Sequence, residues 1–182
     1  MLRNTTERFG SVSKVLHWLV CILLTAQFIL IWCRNSLAHG SPERTHYMQL
    51  HRAVGVTIFL VGLVFIFWRM LNQQPLPPAS QPRWQRLVAK IVHRSLLILL
   101  VLMPMVGYVL SCAEGKAVNF FGVFTLPCLI PEHKNLFTLF AGIHEELGIL
   151  ILILVGIHVL AALTHHFILK DDVLKRMLQD AK

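Results

Sequence analysis

The chain has 182 residues, of which 55% are hydrophobic and only 14% charged, with a formal net charge of +8. Soluble domains carry about a quarter charged residues, so this composition excludes an ordinary soluble globular domain. The surplus of cations invites a nucleic-acid reading, which their segregation to one side of four apolar runs excludes.

Each apolar run is long enough for a membrane-spanning helix, since a bilayer core needs ~20 helical residues. The first run is Ser13–Cys33. It follows a basic start and precedes Ser36-Leu37-Ala38, which resembles a cleavage site. The run exceeds the 7–15 residues of a signal peptide core and carries His17, so it is read as a retained helix. Asn35–Tyr47 is a short outer loop, and Met48–Leu71 is the second span. The connection NQQPLPPASQPRW is rich in proline, which ends the second helix and keeps the loop extended. The third span, Trp84–Cys112, contains Pro104, which should kink it. Ala113–Thr138 is the longest connection, and its FFGVFTLPCLIP stretch is apolar enough to lie along the outer membrane surface. Leu139–Leu169 is the fourth span. The expectation is an all-α, integral membrane four-helix bundle forming one domain over residues 1–182.

Arg3, Arg8, Lys14, Arg69, Arg83, Arg86, Lys90, Arg94, Lys170, Lys175, Arg176 and Lys182 lie toward the side of the two termini. Only Arg34, Arg44, Arg52, Lys116 and Lys134 lie toward the other, twelve against five. By the positive-inside rule both termini are cytoplasmic. The four cysteines form no CxxC or CxxCH, which leaves no zinc ribbon and no covalent haem attachment. Cys21 reads as an apolar filler. Cys33, Cys112 and Cys128 fall near the outer face, where an oxidising compartment permits a disulfide without the sequence selecting a pair.

Histidines carry the functional signal. In HEELGILILILVGIH, His144 and His158 stand fourteen residues apart among aliphatic side chains. On a helix they share a face, about 40° apart and roughly 21 Å along the axis. That distance excludes one shared zinc ion, whose ligands lie ~2 Å away, and suits two stacked haems that each take one axial imidazole from this helix. Depth then pairs His51, at the outer end of the second helix, with His144. It pairs His17, at the inner end of the first, with His158. His93 on the third helix lies as deep as His158 and competes with His17. Four histidines at two membrane depths are costly and mark function. Two imidazoles on one haem leave no open iron position, which favours electron transfer over oxygen chemistry.

Gly55 and Gly148 follow the outer pair by four residues on the same face. They either make room for a porphyrin edge or serve ordinary small-residue helix packing. Arg69 either meets an inner haem propionate or snorkels to headgroups. His165, His166 and Lys170 either donate to a quinone carbonyl at the inner interface or form a polar helix end. His39, His46 and His133 read as solvated outer-loop residues.

These stretches together resemble the bacterial cytochrome b561 family over essentially the whole chain. The resemblance rests on RFGSVSKVLHW, MQLHRAVGV, HRSLLILLVLMPMVGY, GKAVNFFGVFTLP and GIHEELG…GIHVLAALTHHFILKDDVLKRM. It implies a bacterial inner-membrane protein with two haem b groups and axial ligands at His17, His51, His144 and His158. It also implies superoxide oxidation coupled to quinone reduction, with ubiquinone favoured over menaquinone. Outer cations Arg44, Arg52, Lys116 and Lys134 would steer superoxide, against the opposing charge of Glu114, Glu132, Glu145 and Glu146. Two rivals stand beside this reading. One is a haem b membrane anchor relaying electrons between a dehydrogenase or hydrogenase partner protein and the quinone pool. The other is a haem-free transporter with a histidine proton relay, for which the chain lacks the broken helix pair common at transport sites.

Overall fold

The computed structural model describes residues 1–78 and 81–178. Ala79 and Ser80 of the proline-rich connection, and Lys182 among the inner-side cations, lie outside the described residues. Four long helices, α1 (Ser11–Asn35), α2 (Pro42–Leu71), α3 (Arg83–Ala113) and α4 (Lys134–Phe167), are each long and apolar enough to cross a membrane. A two-stranded antiparallel hairpin, β1 (Val118–Phe120) and β2 (Phe124–Leu126), lies between α3 and α4, and a last turn, α5 (Lys175–Leu178), follows. The helices pack in sequence, α1 on α2, α2 on α3 and α3 on α4, and β1 leans on α2.

Large apolar side chains point outward along the shafts: Ile22, Ile98 and Leu160 are each more than 60% exposed. A soluble bundle would bury them, whereas lipid is as apolar as they are. The interior is correspondingly slight. Val20, Ile58 and Leu100 form its centre, where α1, α2 and α3 meet.

Two helices begin five or six residues earlier than hydropathy indicates. At α2 the Ser41 hydroxyl accepts from the Arg44 N–H and Pro42 takes the first helical position, which adds a polar turn ahead of Met48. At α4 the His133 ring accepts from the Leu136 N–H, so the helix starts at Lys134 rather than Leu139. It also stops earlier, at Phe167. Lys170 has φ +53, a left-handed conformation that breaks the helix before the terminal segment. The outer connection is not simply a surface strip, because residues 118–126 fold back on themselves. Phe121 and Gly122 both take positive φ at the tip, and the Asn119 side chain accepts from the Gly122 N–H.

The N-terminal segment, the α2–α3 connection and the C-terminal segment meet at one end of the bundle. Leu76 N–H donates to the Thr6 carbonyl, Asn4 donates to the Gln73 carbonyl, Arg176 donates to the Leu76 carbonyl, and the Trp18 indole donates to the Met177 carbonyl. Gly10 is required for the first of these segments to fold over. A Cβ there would stand 2.3 Å from the Leu2 carbonyl oxygen. Asn4 accepts from the Gly10 N–H and the Ser13 hydroxyl, and Ser13 accepts from the Trp68 indole. This polar chain satisfies groups that would otherwise lie unpaired at the membrane boundary.

Candidate functional site

α4 carries His144 toward its N-terminal end and His158 fourteen residues further on, and each faces an imidazole from another helix. His51 of α2 lies with its ring centre 6.1 Å from that of His144, the two planes at 77°. His17 of α1 lies 6.1 Å from His158, at 61°. Two imidazoles clamping one metal from opposite sides have ring centres roughly 6 Å apart, since each metal–nitrogen bond is ~2 Å. Both pairs have this spacing. All four rings are half-buried.

His93 of α3 is closer to His158, 5.0 Å between centres, and it is exposed. Its ring bonds the carbonyl of Ala89 one turn back. The deeper end therefore holds three histidines, as the sequence suggests, with spacing that separates them. Arg69 lies within electrostatic range of His93 and Arg94, beside this cluster.

The outer pair tests whether these residues suit an added group. Nδ1 of His51 and Nδ1 of His144 are buried and have no hydrogen-bond partner among the described residues. Buried polar atoms are normally satisfied, so two facing, unpartnered imidazoles fit a ligand that binds nitrogen. Gly107 of α3 helps position one of them. A Cβ there would approach His144 Cε1 to 3.0 Å, closer than such contacts ordinarily come. Gln27 of α1 donates to the His51 backbone carbonyl at 3.1 Å and fixes the α1–α2 register beside the ligand. A Cβ on Gly55 would meet this same Gln27 amide at 3.3 Å, and one on Gly148 would meet the Met103 methyl at 3.6 Å. Both glycines therefore also serve helix packing. The sequence reading missed Gln27 and Gly107, whose roles exist only across helices.

Above the outer pair lies a cavity of about 470 Å³ bordered by Arg34, Arg44, Arg52, Lys116 and Glu114. Three of the four cations expected at this face come together here, and Arg34 joins them. Lys134 does not line it. Among the described residues Glu114 is the only carboxylate on its wall, and it pairs with Arg52 at 2.5 Å and with Lys116 at 2.6 Å. The cavity keeps a positive excess because one carboxylate is shared by two of four cations. Arg44 also donates to the carbonyls of Arg34 and Leu37, which shapes the outer loop around the opening.

At the opposite end His165 pairs with Asp171 at 2.5 Å. Asp171 also accepts from the Val173 N–H, and its own N–H donates to the His165 carbonyl. The His166 ring packs edge-on against Phe167, its buried Nδ1 without a partner among the described residues, and Lys170 is exposed. Of the sequence candidates at this end, His165 thus gains a fixed anionic partner while Lys170 stands in solvent. Asp171 is the residue that sequence spacing alone did not single out.

Comparison with known proteins adds a family and several relatives. The sequence profile described as prokaryotic cytochrome b561 matches residues 8–180. Cytochrome b561 homolog 2 of Escherichia coli (strain K12) is 33% identical over 175 residues, covering 96% of this chain and 93% of that protein. Cytochrome b561 homolog 1 of the same organism is 27% identical, covering 97% and 99%. The probable superoxide oxidase CybB of Yersinia pestis is 28% identical, covering 94% and 96%.

Proposed function

This chain belongs to the prokaryotic cytochrome b561 family, haem-containing electron-transfer proteins of the bacterial inner membrane, and we propose that it oxidises superoxide and reduces quinone. The observation that carries the reading is the pair of cross-helix imidazole couples, His51 with His144 and His17 with His158, at one common spacing. Each couple would hold one b-type haem within a single domain whose termini face the cytoplasm. Haem b would supply, when bound, a reversible one-electron couple.

The chain's own residues account for the rest of the reaction. Arg34, Arg44, Arg52 and Lys116 gather an anionic donor at the outer end. Two superoxide anions each give up one electron and leave as dioxygen. One quinone takes those two electrons and two protons to become the quinol. His165, held by Asp171, stands at the inner end to pass a proton to a quinone oxygen, with His166 and Lys170 beside it. Arg69, near His93, offers positive charge to a carboxylate at the deeper site. Ubiquinone is the proposed acceptor.

Extracted haem per mole of purified chain, read beside a reduced-minus-oxidised spectrum, tests the cofactor reading. Two low-spin b haems per chain are expected, and one would mean that one couple is wrongly assigned. A colourless protein, expressed with ample haem, would return the histidines to a proton relay. The purified chain should then reduce a soluble ubiquinone analogue with enzymatically generated superoxide. Failure there, with both haems present, favours an anchor subunit that needs a dehydrogenase or hydrogenase partner.

A further inference from the structure

Cys112 closes α3 at its outer end and is fully buried, with no exposed surface. The outer connection leaves from this point, forms the hairpin and returns, bringing Cys128 back against it. Several bonds hold that return in place. The Tyr108 hydroxyl donates to the Pro127 carbonyl at 2.5 Å, one residue before Cys128. The same Tyr108 side chain contacts the Cys112 sulfur. The His133 N–H donates to the Ala113 carbonyl, and Ser111 donates to the Lys116 carbonyl. The two thiols are close enough to share a hydrogen bond. Cys21 and Cys33 lie on α1.

We propose that Cys112 and Cys128 form a disulfide that staples the hairpin-bearing outer connection to the end of α3. The inference rests on the outward orientation of this end given under Proposed function, because disulfides persist on the oxidising side of the membrane. Thiols within hydrogen-bond reach are the neighbours that a ~2.05 Å sulfur–sulfur bond can join.

The oxidant is a protein disulfide of that compartment, acting by thiol–disulfide exchange. Cys128, half-buried at the surface, attacks one donor sulfur, and the donor's other sulfur leaves as a thiolate. Cys112 then attacks Cys128 within the mixed disulfide and releases the donor's first sulfur. The pair loses two electrons and two protons, and the donor disulfide becomes two thiols. Burial and the neighbouring Cys112 thiol push the Cys128 thiol up to about 11, so unassisted oxidation is slow and the exchange needs a reactive donor.

Cells producing the full chain with a C-terminal green fluorescent protein are quenched in acid and denatured in N-ethylmaleimide. The protein is then reduced and labelled with the deuterated reagent. Peptide mass spectrometry should find Cys112 and Cys128 carrying deuterium and Cys21 carrying none, with a 112–128 linked peptide in the unreduced digest. Cys128→Ser should turn Cys112 light. Light label on both cysteines in fluorescent cells overturns the disulfide, as does a link through Cys33. A fusion that is made but dark overturns the topology instead, since this reporter folds only on the cytoplasmic side.

Discussion

His158 has two imidazole neighbours, and distance separates their roles. The His93 ring centre is 5.0 Å away and that of His17 is 6.1 Å away. The longer interval accommodates two ~2 Å metal–nitrogen bonds, and the same interval recurs at His51 and His144. His93, exposed and bonded to the Ala89 carbonyl, suits a neighbour of the site better than an axial ligand. His17→Ala should therefore lower bound haem from two per chain to one, and His93→Ala should leave two. Pyridine haemochrome titration of the purified variants measures both, and the reverse result would overturn the inner pairing. That His51 faces His144 and His17 faces His158 was legible in the sequence, because a helix converts spacing directly into face and depth. Gly107 was not, since its meaning is the approach of a His144 ring from another helix. No periodicity within α3 encodes that contact.

The ends of the helices add polar contacts to the histidine couples held by their shafts. α4 stops at Phe167, and the left-handed Lys170 turns the chain so that Asp171 meets His165 at 2.5 Å. A carboxylate in this position fixes the imidazole's orientation for proton transfer. Asp171→Asn should lower quinone reduction by tenfold or more, within the ~10²–10⁴ that positioned acid–base groups contribute. The haem content and the rate of reduction by superoxide should stay unchanged. Stopped-flow traces that separate reduction of the protein from its reoxidation by quinone distinguish these steps, and equal loss in both would make Asp171 merely structural. Hydropathy found the four spans but placed the starts of α2 and α4 five or six residues late. Their opening turns, PERTHY and KNLFT, precede the continuous apolar runs and are held by caps at Ser41 and His133. The hairpin was missed for another reason. Its tip places Phe121 at φ +49, a position usually filled by Asn or Gly, so the familiar turn signal is absent.

For the whole molecule, the decisive asymmetry is electrical. Most cations lie toward the terminal end, as the positive-inside rule expects of a cytoplasmic face. Four of the five at the opposite end, all but Lys134, are gathered into one cavity, where Glu114 is the single carboxylate among the described residues. A small anion approaching that end is attracted over roughly one Debye length, ~30 Å at 0.01 M salt and ~8 Å at 0.15 M. Association with superoxide should therefore slow several-fold between those salt concentrations. Lys116 is the cation to alter, because it is exposed and holds no helix in place, whereas Arg44 supports the outer loop through two carbonyls. Lys116→Glu should reduce the low-salt rate several-fold while leaving bound haem at two per chain. The wild-type and variant curves should converge as salt rises, because screening removes the difference that the charge created. Pulse radiolysis across an ionic-strength series reads both slopes. Curves that stay parallel would mean that Lys116 acts by touching the donor, and a flat wild-type curve would remove steering from the mechanism altogether.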